Sequence, residues 1–123
     1  MTPFGERLRA LREARGIKLK DMAEALGVSS TYLSALEHGR RSKPSWSFVQ
    51  RVIHYFNIIW DEADELQRIA DVSDPKIVIE TAGLSPRATE LANRLAREIG
   101  HLSESDLDVL LARLGEARRR STS

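Results

Sequence analysis

The sequence contains no cysteine. That excludes a disulfide framework and any thiolate metal site. No apolar run approaches the roughly 18 residues that a membrane-spanning helix needs, so no membrane association is expected. The N-terminus has no positively charged region followed by an apolar stretch, which argues against a secretory signal. His38, His54 and His101 are too scattered for a metal site. There is no Gly-rich phosphate loop, and the acids and histidines form no nucleophile–base pair. The expectation is a chain that is not an enzyme and holds no metal or cofactor.

What is present is more specific. A length of 123 residues suits one domain, or one small domain with an appendage, and a 41% apolar fraction suffices for a core. The net charge of +1 conceals a strong segregation. Residues 1–60 hold ten Lys or Arg against five acids. Residues 61–80 hold seven acids against Arg68 and Lys76, and residues 81–123 hold seven Arg against six acids. A basic first half is the electrostatic footprint of a surface that faces phosphates. By itself the same asymmetry also fits an ordinary solvated surface, and a motif has to decide.

That motif lies in Ile17–Gly39, which reads Ile-Lys-Leu-Lys-Asp-Met-Ala-Glu-Ala-Leu-Gly-Val-Ser-Ser-Thr-Tyr-Leu-Ser-Ala-Leu-Glu-His-Gly. Met22, Ala23 and Leu26 share one face of a first short helical pattern. Leu33 and Leu36 share one face of a second. Gly27 suits the left-handed backbone that ends a helix, and Ser29 suits the cap of the next. Two helices joined by a short turn with Gly in it form a helix-turn-helix, whose second helix is offered to the DNA major groove.

The stretch resembles the helix-turn-helix of the Cro/CI-type (XRE) family of bacterial and phage regulators. Ala23, Gly27, Val28, Ser29, Leu33, Ser34, Leu36, Glu37 and Gly39 carry the match. Phe4 to Arg12 is similar to that family's first helix. Pro44-Ser45 with Val49, Val52, Ile53 and Phe56 is similar to its fourth, and Trp60 to Leu66 to the start of its fifth. The resemblance covers about residues 4–70. It implies an all-α fold: a five-helix lambda-repressor-like DNA-binding domain, here with a C-terminal helical extension.

Local signals place the helices. The first runs from Pro3 to about Arg15, with Thr2 as cap and Phe4, Leu8 and Leu11 as its buried stripe. The fourth spans about Ser45–Phe56, with Asn57 left-handed behind it. The fifth spans Asp61–Asp71, with acids in its first turn where the dipole favours them. For residues 75–83, Asp74-Pro75 and Gly83 favour one short helix, while Ile77-Val78-Ile79 leaves a strand open. Ser85-Pro86 opens a helix that Gly100 ends. Ser103 opens the last, with Ser103 and Asp106 spaced as a capping box. The expected domains are 1–71 for DNA binding, 72–118 for a helical extension that dimerises, and 119–123 for a disordered tail.

Candidate DNA-binding residues follow. Ser30, Thr31, Tyr32, Ser34 and Ala35 lie toward the start of the second motif helix, and Ser30, Thr31 and Ala35 match the family's base-reading positions. All three are small. None can make the bidentate contacts to guanine or adenine that Arg, Asn or Gln make. Thr31 and Ala35 suit a thymine methyl, and Ser30 and Ser34 a base or a phosphate. Such a helix implies more reliance on DNA shape and water. Tyr32 either reaches a phosphate or packs. The resemblance sets Arg40, Arg41 and Lys43 in a loop beside the phosphate backbone. The family often has Gln where this chain has Leu19, so Lys18 and Lys20 are the alternative phosphate contacts. Glu37 is read as structural, paired with an Arg. Trp46, Phe48 and Phe56 are read as packing residues.

One such unit reads only a few base pairs, and the family usually binds two-fold operators. The resemblance therefore implies a homodimer on double-stranded DNA, in the cytoplasm and associated with the nucleoid. Leu91, Leu95, Ile99, Leu107, Leu110, Leu111 and Leu114 are its candidate interface, unless they close the core of the same chain. The function expected is a sequence-specific transcriptional regulator, with repression as its sign. The alternative is an antitoxin-like protein whose C-terminal helices hold a protein partner, with DNA binding secondary.

Overall fold

A computed structural model describes residues 1–122. Every regular element among them is helical: α1 (Pro3–Ala14), α2 (Leu19–Leu26), α3 (Ser30–Glu37), α4 (Trp46–Tyr55), α5 (Asp61–Asp71), α6 (Pro86–Glu98), a 3-10 turn (Ile99–His101) and α7 (Glu104–Thr122). The chain divides into two compact units, Met1–Ile77 and Val78–Ser123.

In the first unit, α1 begins where Thr2 Oγ1 accepts from the Gly5 N–H at 3.0 Å and Pro3 fills the first helical position. Its stripe of Phe4 and Leu8 is fully buried, with Leu11 packed alongside. Packing runs from α1 to α3 and α5, from α2 to α3 and α4, and from α4 to α5. Met22, Leu33, Val49, Val52, Phe56 and Leu66 converge in this core at 0–1% exposure. Each such side chain contributes on the order of 1.5–3 kcal/mol of hydrophobic stabilisation, so α3 stands on a stiff base.

Polar ties close the unit. Ser73, expected in the extension, belongs here. It is buried, accepts from the Phe4 N–H at 2.8 Å and donates to the Ile69 carbonyl at 2.6 Å. It thus joins the start of α1 to the end of α5, and the unit extends past Asp71 to Ile77. Arg15 donates to the Phe56 carbonyl at 2.8 Å, with its guanidinium 5.2 Å from the Phe56 ring centroid.

In the second unit, Ser85 Oγ accepts from the Ala88 N–H at 3.3 Å and starts α6. Ser103 and Asp106 bond each other's backbone N–H reciprocally, at 3.0 and 3.2 Å, ahead of α7. None of the described residues of this unit is buried.

Three expectations need correction. Residues 75–83 are neither helix nor strand. Asp74 Oδ1 accepts from the Lys76 N–H at 3.1 Å, closing a local turn rather than capping a helix. Ile77, Val78 and Ile79 are β-branched and disfavour helix, and no strand among the described residues lies beside them. The tail expected at 119–123 is helical through Thr122, and Ser123 lies outside the described residues. Arg is a good helix former, and the Ser121 hydroxyl donates to the Arg118 carbonyl at 2.9 Å. Trp46, read as packing, is 67% exposed, because the buried face of α4 begins only at Phe48.

Candidate nucleic-acid interface

The α2–α3 turn forms as its residues dictate. Gly27 takes φ 73°, and Ser29 Oγ accepts from the Tyr32 N–H at 3.0 Å. Leu33 and Leu36 bury the inner face of α3. Ser30 and Thr31 are exposed on its first turn, while Tyr32, Ser34 and Ala35 are half-buried. The orientation of α3 is locked from α1. Arg12 Nε and Nη2 donate to the two Glu37 carboxylate oxygens at 2.7 and 3.0 Å, and Arg12 Nη1 donates to the Ile17 carbonyl at 3.0 Å. The bond to Glu37 pushes the Arg12 guanidinium above its ordinary pKa; desolvation opposes this, and attraction to Glu37 and Glu13 adds to it.

Beyond α3 the chain turns at Gly39, and the Arg40 N–H donates back to the Ala35 carbonyl at 2.9 Å. This puts the basic loop directly off the end of α3. Arg40, Arg41 and Lys43 are all exposed. The Arg41 guanidinium lies 5.0 Å from the Tyr32 ring centroid, while Lys43 pairs with Asp71 at 3.4 Å. Lys18 and Lys20 are exposed at the start of α2, and Lys18 caps α2 with no side-chain bond. Leu19 packs against the core.

A family model described as "Helix-turn-helix domain" matches residues 3–66, from the start of α1 into α5. This chain belongs to that family. It is an XRE-type helix-turn-helix transcriptional regulator. It is similar to the uncharacterized HTH-type transcriptional regulator RghRB of Bacillus subtilis (strain 168), 23% identical over 138 residues that span 100% of this chain and 99% of RghRB. The HTH-type transcriptional repressor RghR of the same strain is 34% identical over 61 residues, 50% of this chain and 45% of its own. The HTH-type transcriptional regulator DdrOP3 of Deinococcus deserti is 47% identical over 53 residues, 43% of this chain and 40% of its own. This regulator therefore spans nearly all of RghRB and under half of the other two.

The seven candidate interface residues of this regulator lie outside its buried cluster. Leu91, Ile99, Leu110, Leu111 and Leu114 are exposed, and Leu95 and Leu107 are half-buried. Two residues that matter for the interface escaped the sequence reading as partners. The sequence reading pairs Glu37 with an Arg without saying which, and that residue is Arg12 of α1. Arg51 donates to the Leu26 carbonyl at 2.6 Å and lies 5.4 Å from the Phe48 ring centroid. For Arg12 a signal did exist. Glu37 follows Leu33 by four residues on the inward face of α3, and a buried acid demands a cation.

Proposed function

We propose that this regulator is a sequence-specific, homodimeric repressor that reads a two-fold operator, with α3 in the major groove of each half-site. The observation that carries the reading is the first turn of α3. Ser30 and Thr31 stand exposed on a helix anchored by Leu33, Leu36 and the Arg12–Glu37 pair, with a basic loop at its far end. Base edges meet Ser30, Thr31 and Ala35, with Ser34 at a base or a phosphate. Phosphates meet Arg40, Arg41, Lys18 and Lys20, and Lys43 joins them once it gives up Asp71. Phosphate contacts carry most of the affinity and make it fall steeply with salt. The sign is supported by the likeness to the repressor RghR. Action is by binding alone, on DNA in the cytoplasm.

The apolar stripes of α6 and α7 support dimerisation, since a row at i, i+3, i+4 and i+7 whose Leu110, Leu111 and Leu114 are exposed leaves a helix face to be covered. Half-sites then lie about 34–36 Å apart, one helical turn of DNA. Selecting bound duplexes from a random pool tests half-site, spacing and symmetry together; an unrelated pool after selection refutes the reading. Light scattering after size exclusion tests the dimer, and a monomer at micromolar concentration refutes it. The same uncovered stripe also accepts a foreign amphipathic helix. A stoichiometric partner that co-purifies from the native host and replaces the dimer favours that second reading.

A further inference from the structure

We propose that Tyr32 is a positioning residue: its ring holds the Arg41 guanidinium in place for a backbone phosphate, and its hydroxyl is not the DNA contact. The inference rests on the DNA-binding reading above and extends it to one named pair.

Tyr32 is fixed from two sides. Its backbone N–H is tied to Ser29 Oγ at 3.0 Å, in the cap of α3. Its ring meets the Phe48 ring edge-on, with centroids 5.9 Å apart and planes at 83°. Phe48 is itself 2% exposed, and the Arg51 guanidinium covers its ring at 5.4 Å. Arg51 is anchored in turn on the Leu26 carbonyl. The Tyr32 ring is therefore a rigid shelf reaching from α4 to the surface of α3. Arg41 rests on that shelf at 5.0 Å, inside the range where a ring face attracts a cation.

The chemistry of the contact matters. A stacked guanidinium uses its flat face and leaves its N–H edge free for the paired oxygens of a phosphate. Arg41 has no carboxylate partner among the described residues, whereas Lys43 is paired with Asp71. An exposed Arg normally loses rotamer freedom on meeting a phosphate. A ring that already orders it removes much of that loss before binding.

The test uses the full chain and a fluorescent mixed-sequence duplex, read by anisotropy over a range of salt. Tyr32→Leu removes the shelf and weakens binding about 3- to 10-fold. Tyr32→Phe keeps the ring without the hydroxyl and restores what Tyr32→Leu loses. Arg41→Gln weakens binding and lowers the salt slope by about one. Once Arg41 is gone the ring has nothing left to hold, so Tyr32→Leu adds nothing to Arg41→Gln. Equal losses for Tyr32→Phe and Tyr32→Leu overturn the proposal in favour of a hydroxyl contact. Full additivity of Tyr32→Leu with Arg41→Gln overturns it as well. So does a loss in Arg41→Gln confined to A·T-rich duplexes with an unchanged slope, which marks the minor groove. If Tyr32→Leu does not fold, the Arg41 side-chain protons of the unaltered chain decide. An upfield ring-current shift supports the stacking, and its absence overturns it. A chain that shows no salt-dependent binding overturns the DNA-binding reading and this proposal with it; binding that Tyr32→Leu leaves intact overturns this proposal alone.

Discussion

Glu37→Ala strips a carboxylate whose side chain is 2% exposed and leaves the Arg12 guanidinium behind, its side chain 17% exposed. Removing one partner of a buried ion pair costs about 3–5 kcal/mol, mostly because the surviving charge is stranded. Here water can reach part of Arg12, which also keeps its bond to the Ile17 carbonyl, so the lower end, about 3 kcal/mol, is expected. A unit the size of Met1–Ile77 has about 4–12 kcal/mol in all. The loss corresponds to a drop in Tm of about 12–24 °C. Urea and thermal unfolding followed by circular dichroism measure it, since a unit of this size suits two-state treatment. Arg12→Met combined with Glu37→Met recovers most of the loss, because no charge is left stranded. A coupling below about 0.5 kcal/mol in that cycle refutes the reasoning, since contacting partners exceed it. The pH dependence has a definite sign on the cation side. Arg12 is raised above its ordinary value by the Glu37 bond, so its contribution is fully present below that value and is lost only at still higher pH. The gap between the unaltered chain and Glu37→Ala therefore stays constant from about pH 7 to pH 10.

The other predictions concern the frame around α3 and its reading face. Gly5→Ala places a Cβ against the Leu36 carbonyl oxygen and 2.9 Å from that of Glu37, both backbone atoms. It should cost about 1–3 kcal/mol by overpacking, and calorimetry checks it. Ser73→Ala leaves the Phe4 N–H without its acceptor and should cost about 1–3 kcal/mol in urea unfolding. Arg40→Ala should weaken binding to all duplexes alike, while Thr31→Ala should shift the sequence preference recovered by selection.

Much of this fold is legible because cap chemistry is local. Thr2-Pro3, Gly27 with Ser29, Ser45, Ser85-Pro86 and the Ser103–Asp106 pair all bound helices as their residue types suggest. What escaped depends on residues far apart in the chain. Arg12 and Glu37 are separated by 25 positions and Phe4 and Ser73 by 69, and no period links them. Residues 77–79 are β-branched and disfavour helix, but a strand needs a neighbour, and none among the described residues lies beside them. Apolar periodicity, finally, says that a face is to be covered but not by what. The stripe of α1 is buried within its own unit, while the equally regular stripes of α6 and α7 stay mostly exposed, with Leu95 and Leu107 half-buried. On α3, the family resemblance puts Ser30 and Thr31 among the candidate base-reading positions, but nothing in the sequence reveals that Arg41 rests on Tyr32.

The Phe4–Ser73 bond also bears on the order in which the first unit can form. α1 precedes the elements it packs on, but at 12 residues it is marginal as an isolated helix in water. Its packing partners are α3 and α5, and the acceptor for its Phe4 N–H arrives only after α5 has ended. Long-range contacts of this kind slow folding, because the loop must close before the contact rewards it. The start of α1 is thus completed only once the far end of α5 is in place. α1 reaches α3 nearby in the chain and α5 farther along it, so its second contact closes the longer loop. Ser73→Ala should consequently speed unfolding far more than it slows folding.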